Sequence, residues 1–503
     1  MRIKTVILAM VLSITSSSIL AQTVPETDIF PYRQTSFDKN DMQIINNGIA
    51  GLYARIDLIR RAKKAIDVEY FIFNPDTSGR IIIKELVKAT ERGVKVRILV
   101  DKSKAVFKLN EYYAQVLKEH NIEIRYYNSA FFLRISSVQF RNHRKLFVID
   151  SEEAITGGRN IADEYFNLSK KFNFLDRDIW IQGELVKTMQ ATFDLYWNSD
   201  IVQKPKAVIV PVKTYQNNKN NNGLDDNSYE LSLESHKKKI SEAQEIVAEN
   251  TDDNKTLDYV LDFGQKELNK TNKYRCPEAV FATDREGASF IERLDIKNYN
   301  KNYRLLRKEI SKWMGKIDDE ITLDSPYFLN DSNSIEIVNN LLAKNTKITI
   351  LTNSLNSTDA IYVSTVFADT VKKYTPNENF NAYTYKGTFS NESELMNDEI
   401  KNASWGTHSK TIIYNSNSFM VGTFNIDNRS NFYNTEMALF CSGSPELTND
   451  VVSNIKIRMK NSHHLNSAGR PDDGSSILEG ASLTKKLLYF MLKIPASLAQ
   501  FLM

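Results

Sequence analysis

Cysteine is scarce in this chain of 503 residues: there are two, Cys276 and Cys441, and neither lies near the N-terminus. A lipid-modified cysteine is therefore not expected as an N-terminal anchor. The two thiols could bridge in an oxidising compartment, but the plainer expectation is two separately buried side chains. An excess of one charge is also lacking, since 65 Lys and Arg face 62 Asp and Glu for a net charge of +3. No separate nucleic-acid docking surface is expected from such a balance, although composition alone does not exclude a small phosphodiester-cleaving site. Apolar runs are short: the run near the N-terminus falls below spanning length for most helices. Histidine is rare, with 6 in the whole chain. What remains is ordinary for a globular protein, 42% hydrophobic and 25% charged residues, in a chain long enough to bury two cores.

The first 21 residues read as a secretory signal: Arg2 and Lys4, the apolar VILAMVLSI, then small and polar residues ending at Ala21. The rival is an uncleaved, short membrane anchor. Export, to the periplasm or beyond the cell, is the expectation.

Two of the few histidines stand in matching contexts. RNHRKLFVID runs from Arg141 to Asp150, and THSKTIIYN from Thr407 to Asn415, their histidines 265 residues apart. Each has His, one spacer and Lys ahead of an apolar run of strand character. Residues two apart in an extended chain share a face, so His143 points with Lys145 and His408 with Lys410. Seventeen residues after each His comes an Asn, Asn160 and Asn425, behind Gly157–Gly158 and Gly422–Thr423. An acidic residue follows, Asp178 at 35 residues after His143 and Glu436 at 28 after His408. Two patterns in register mark a duplicated active site.

The sequence resembles the phospholipase D superfamily, whose motif H-x-K-x(4)-D with a following Gly/Ser-x-x-Asn segment occurs once in each half. His143, Lys145 and Asp150 match the first copy completely, with Gly157, Gly158, Asn160 and Asp178 behind them. His408 and Lys410 match the second, with Gly422, Thr423, Asn425, Arg429, Ser430 and Glu436, but its last position is Asn415 where the family has Asp. The likeness covers roughly residues 45 to 460. ITGGRNIADEYF, FLDRDIW and LTNSLNSTD narrow it to the bacterial cardiolipin-synthase-like branch, particularly the C-type synthases and related secreted phospholipases.

The order of elements repeats as well. Helical spacing from Gly51 to Lys64 leads to a strand at 65–73, a turn at 74–76, a helix at 80–92 and a strand at 94–100. A helix around 109–119 and a strand at 122–127 then lead to the His143 strand. In the second half strands at 320–328 and 347–354, with a helix at 333–343 between, lead to the His408 strand. Alternation of this kind predicts two similar α/β sandwich domains with mainly parallel sheets, packed about a pseudo-two-fold axis. The expected division is 1–21 signal, 40–201 first domain, 202–270 linker or insertion, 271–460 second domain and 461–503 tail. Within the linker, Gln216–Asn227 reads as a surface loop, Glu230–Asn269 as a charged helical stretch and Lys237–Lys239 as its solvated face.

Breaking a phosphodiester takes a nucleophile at phosphorus, a proton for the leaving oxygen and positive charge around the other oxygens. Two His, two Lys and two Asn supply these without metal or cofactor. Lys145 and Lys410 would hold phosphate oxygens, Asn160 and Asn425 would add hydrogen bonds, and Asp178 and Glu436 would orient the imidazoles. The resemblance implies that His143 is the nucleophile, giving a phosphohistidine, and His408 the acid and base; the residues alone do not tell the two apart. A metal site built from Asp101, Asp150 and Asp178 is the disfavoured alternative. Asp150 and Asn415 lie an odd seven residues beyond their histidines and so face away from them, which predicts a supporting role at the strand end. The expected substrates are phospholipids, with no nucleic acid. Resemblance implies a phosphatidyltransferase making cardiolipin from phosphatidylglycerol and a second phospholipid. Hydrolysis to phosphatidic acid is the alternative, and a dead lipid-binding site a third reading raised by Asn415. Phe131–Phe132–Leu133 and the basic, apolar tail 481–503 point to a membrane surface, with Pro495 expected to interrupt the tail helix. A tail packed on the protein's own core is the plainer view of that segment. His463 and His464 are expected at the surface.

Overall fold

The computed structural model describes residues 30–103, 105–128, 139–212, 226–287, 292–293, 295–329, 331–392 and 394–498. The signal segment 1–21, Phe131–Phe132–Leu133 and residues 216–225 of the expected loop lie outside the described residues.

The first half opens with β1 (Arg33–Ile45) and α1 (Gly48–Arg61), the latter started by the Asn47 side chain accepting from Ala50 N. Two crossovers follow. β2 (Ala65–Tyr70) leads through α2 (Thr77–Glu91) to β3 (Lys95–Asp101), and β3 through α3 (Glu111–Glu119) to β4 (Ile122–Tyr127). Asp76 and Asn110 cap these helices, and β2, β3 and β4 pair in parallel. Then β5 (Leu146–Ile149), β6 (Glu153–Gly157), β7 (Phe172–Leu175), β8 (Asp178–Gly183), α4 (Glu184–Trp197) and the short β9 (Val202–Gln203) complete the half.

The segment between the halves is helical, with α5 (Asp226–Gln244) and α6 (Thr251–Tyr259). It is bound to the first half: Ala243, Ile246, Val260 and Leu268 enter the core of α1–α3, and buried Asp253 pairs with Arg80 and Lys84 of α2.

The second half repeats the plan. β10 (Tyr274–Thr283) and α7 (Leu305–Met314) precede β11 (Glu320–Asp324), α8 (Ser332–Ala343), β12 (Lys347–Asn353), α9 (Ile361–Val371) and β13 (Phe380–Tyr385). β14 (Ser404–Thr407), β15 (Thr411–Tyr414), β16 (Ser418–Gly422), β17 (Met437–Ser442), α10 (Pro445–Lys460), β18 (Ser462–His464) and α11 (Leu483–Leu498) follow. His463 and His464 belong to β18, an edge strand; His463 is largely buried beside Asp473, with Nδ1 at 3.1 Å from its carboxylate.

The duplicated α/β fold expected from the repeat is present, but the sheet is not mainly parallel. Sixteen strands run in the order β18-β13-β12-β11-β15-β16-β17-β10-β1-β8-β6-β5-β2-β3-β4-β9. Within this sheet, among the described residues, parallel pairing is confined to β2–β3–β4 and β11–β12–β13, where a helix carries the chain back. The motif strands β5 and β6, and likewise β15 and β16, are joined by tight turns and are therefore antiparallel. The two half-sheets meet at β1 and β10, which are paired antiparallel and have no counterpart in the elements expected from sequence. One core, with Leu185, Met189 and Phe193 of α4 and Leu447, Val451 and Ile455 of α10, lies across this junction. Cys276 of β10 and Cys441 of β17 form a disulfide, which corrects the expectation of two separate thiols.

Candidate active site

Each motif histidine sits just beyond a strand-like contact with the opposite half. β14 pairs in parallel with β7, Thr407 opposite Leu175, and His408 N donates to Leu175 O at 2.8 Å. On the other side Asn142 bridges Thr435, and His143 N donates to Thr435 O at 3.0 Å. The next residues in the opposing segments are Asp176 and Glu436. The carboxylates are therefore exchanged between halves: His143 Nδ1 lies 3.0 Å from Glu436 Oε2, and His408 Nδ1 lies 2.6 Å from Asp176 Oδ2.

This corrects the place expected for Asp178. Its carboxylate is buried against Arg55 Nη1 of α1 at 2.9 Å and Arg159 Nη1 at 3.4 Å, away from both imidazoles. Asp176 was missed by sequence reasoning because the loop before it differs in length between copies. Sixteen residues separate Asn160 from Asp176, but eleven separate Asn425 from Glu436. The available signal was the LDRD run itself, which holds two acidic residues. Gly158 allows Asp176 its place: a Cβ there would lie 2.0 Å from Asp176 Oδ1, so only glycine fits. Gly157, at φ +153, holds the same close approach to Arg177. In the second copy Gly422 ends β16, and the Thr423 and Ser430 hydroxyls donate to Glu436.

The lysines bend back along their own strands. Lys145 Nζ donates to His143 O at 2.8 Å, and Lys410 Nζ donates to His408 O at 2.6 Å while lying 2.9 Å from His408 Nδ1. Asn160 Oδ1 accepts from Ile72 N at 3.2 Å. Asn425 Oδ1 and Arg429 Nε are buried with no hydrogen-bond partner among the described residues. Aromatic rings wall the imidazoles: Phe71 lies 5.3 Å from His143, and Phe174 and Tyr165 lie 4.7 and 5.2 Å from His408, centroid to centroid.

Burial and crowded cations set the protonation states. Burial, then Lys145, Lys410, His408 and Arg429, drive the His143 imidazole well below its ordinary value. Burial and Lys410 lower His408 as well, but Asp176 pulls the other way. Burial alone would raise the Asp176 carboxyl; His408, Lys410 and Arg159 outweigh it and hold it at about 2. Burial lifts Glu436 to about 7 despite Lys145 and the two hydroxyls. Burial lowers Lys145 to about 7 and Lys410 to about 8. The two sides are alike in plan and unlike in charge.

The supporting positions lie outside this cluster. Asp150 accepts from Lys63, Lys64 and Ala65 N at 2.7–2.9 Å. Asn415 stands at the same place in the second copy, where its Oδ1 accepts from Asp318 N at 3.1 Å and Asp319 N at 3.3 Å. Asp101 takes Arg141 and Asn142 N. Asp101, Asp150 and Asp178 thus occupy three separate environments, and no cluster of His, Cys, Asp or Glu suited to a metal ion occurs among the described residues.

Paired His, Lys and Asn sets facing each other across two halves, each His held by the other half's carboxylate, define a symmetric phosphoryl-transfer site. Residues 56–197 and 311–458 match the family described as cardiolipin synthase, PLD-like domain. The chain belongs to this family, in the cardiolipin-synthase-like branch of the phospholipase D superfamily. An uncharacterized protein of Helicobacter pylori (strain ATCC 700392 / 26695) is 29% identical over 84% of this chain and 80% of its own length. Cardiolipin synthase C of Escherichia coli (strain K12) is 27% identical over 76% of this chain and 77% of its own. A solved phosphatidylserine synthase from Haemophilus influenzae Rd KW20 shares the fold, with a TM-score of 0.61 at 13% identity over 93% of this chain and 98% of that one.

Proposed function

We propose that the protein transfers a phosphatidyl group between phospholipids through a phosphohistidine, forming cardiolipin from phosphatidylglycerol and a second phospholipid. The exchanged carboxylates carry this reading. Glu436 accepts from His143 Nδ1–H, which leaves the Nε2 lone pair free to attack phosphorus. The strong depression of His143 keeps that lone pair available at neutral pH. Ionised Asp176 offsets part of the depression of His408 by burial and Lys410, and the negative charge of the bound phosphate adds to that offset. The Nε2 proton of His408 goes to the departing headgroup oxygen as the O–P bond breaks. The acceptor hydroxyl then gives its proton to His408, its oxygen attacks phosphorus, and the N–P bond breaks. Lys145, Lys410 and Arg429, whose Nε has no hydrogen-bond partner among the described residues, surround the phosphate oxygens, whose negative charge in turn keeps both amines protonated. The names of the curated relatives support cardiolipin as product. The Cys276–Cys441 disulfide supports export to an oxidising compartment.

The test is product analysis on vesicles of phosphatidylglycerol and phosphatidylethanolamine, with and without a chelator. Cardiolipin should form at the same rate in both. Phosphatidic acid as the sole product would mean that water is the acceptor and would overturn transfer. Activity recovered only on adding metal would overturn the mechanism.

A further inference from the structure

The C-terminal helix α11 is amphipathic in an inverted sense: its anchored face is narrow and its apolar face looks outward. Toward the second half, Tyr489 is buried with Leu355 and Ala481 against Ile361 and Leu478. Lys485 Nζ donates to Asn356 O at 2.7 Å and Thr358 O at 2.8 Å. Away from it, Leu483, Leu487, Phe490 and Met491 are 74, 57, 63 and 71% exposed. Their spacing, i, i+4, i+7 and i+8, forms a single stripe along the helix. Exposed Lys493 and half-buried Lys486 flank it, and no acidic residue lies between Leu483 and Met503.

The helix is fixed beside the site. The loop that holds Lys485 continues into Asp359, whose carboxylate accepts from Tyr327 OH at 3.0 Å. Asp359 also acts on His408 and Lys410, favouring their charged forms, and on Lys485 itself. One loop, 354–360, therefore joins the outward apolar helix to the His408 side of the catalytic cluster.

We infer that α11 is the face by which the protein docks on an anionic bilayer, holding the mouth of the site against the lipid. This rests on the reading that the substrate is a phospholipid. Apolar side chains in a row with lysines at their flanks fit a surface that is apolar below and negatively charged above. With 16 residues the helix reaches about 24 Å, short of a roughly 30 Å hydrocarbon core. Among the described residues no helix is long and apolar enough to cross a membrane, so α11 would lie in the interface plane. A second copy of the chain is the poorer occupant, because one row of side chains offers far less than the roughly 800 Å² per partner that a stable dimer buries.

The test reads binding apart from turnover. Full-length protein and the double variant Leu487→Glu/Met491→Glu are floated with phosphatidylglycerol or phosphatidylcholine vesicles. The variant should lose binding to phosphatidylglycerol vesicles about tenfold or more. Its turnover of a dispersed short-chain phospholipid should equal wild type. A second probe, Leu483→Trp, should show blue-shifted fluorescence on phosphatidylglycerol vesicles only. Unchanged flotation of the double variant, or no shift of Trp at 483, overturns the inference. Vesicle binding unchanged while a wild-type dimer becomes monomeric in the variant would assign the face to a second copy and overturn it too. His143→Ala should float as wild type does while being inactive, whereas wild-type protein that floats with phosphatidylglycerol vesicles yet forms no cardiolipin would count against phosphatidyl transfer and leave the docking face standing.

Discussion

Asp176 and Asp178 differ by two positions and meet quite different partners. Asp176 reaches across to His408 and, held at about 2, keeps its charge at any working pH. Asp178 neutralises Arg55 and Arg159 in the first half. Asp176→Asn should lower kcat by about a hundredfold or more, as loss of an imidazole-orienting carboxylate does elsewhere. Asp178→Asn should instead destabilise the fold by about 3–5 kcal/mol, the cost of leaving buried arginines uncompensated. Urea unfolding and kcat per folded molecule separate the two effects; a kcat loss confined to Asp178→Asn would reverse the assignment. The His and Lys of the site were legible because a two-residue spacing puts them on one side of an extended segment, and each Asn because it recurs 17 residues after its His behind a small-residue turn. The exchange of carboxylates was not, since it joins residues 293 and 232 positions apart.

At the scale of elements, the turn after each motif strand explains why Asn is tolerated at 415. Asp150 and Asn415 have φ of 55° and 54°, a left-handed conformation that Asn and Asp adopt more readily than other side chains. Asp150 caps the backbone of Lys63 and Lys64, whereas Asn415 caps that of Asp318 and Asp319. A carboxylate suits the first neighbourhood, and an uncharged amide suits the second. Asn415→Asp should therefore leave turnover within about twofold and cost about 0.5 kcal/mol of stability, lessening in high salt. A large gain of activity would show instead that the second motif is crippled. The odd separation from the histidine made this position readable as supportive. Other elements were less readable. β1 and β10 escaped detection because each is mostly a run of mixed polarity whose partners are distant in sequence. In α11 the helix continues through Pro495 to Leu498 rather than stopping there.

For the whole molecule, the repeat foretold two like halves but not their continuity. The sheet passes from one to the other through β1 and β10, with α4 and α10 packed over the junction. Four short contacts then bring the site together: β7 with β14, Asn142 with Thr435, and the two imidazole–carboxylate pairs. Among the described residues neither half contains a complete His–acid unit, so both halves are needed to assemble the site. The electrostatic difference between the sides favours the proposed roles, attack by His143 and proton transfer by His408. The most direct measurement is peptide mass spectrometry, under alkaline quench, of wild type, His408→Ala and His143→Ala after exposure to phosphatidylglycerol. A phosphatidyl adduct should appear on His143 in wild type, form more slowly in His408→Ala, which lacks the proton donor for the leaving oxygen, and be absent from His143→Ala, which should be inactive. An adduct on His408 or elsewhere, or substantial turnover by His143→Ala, would contradict the account.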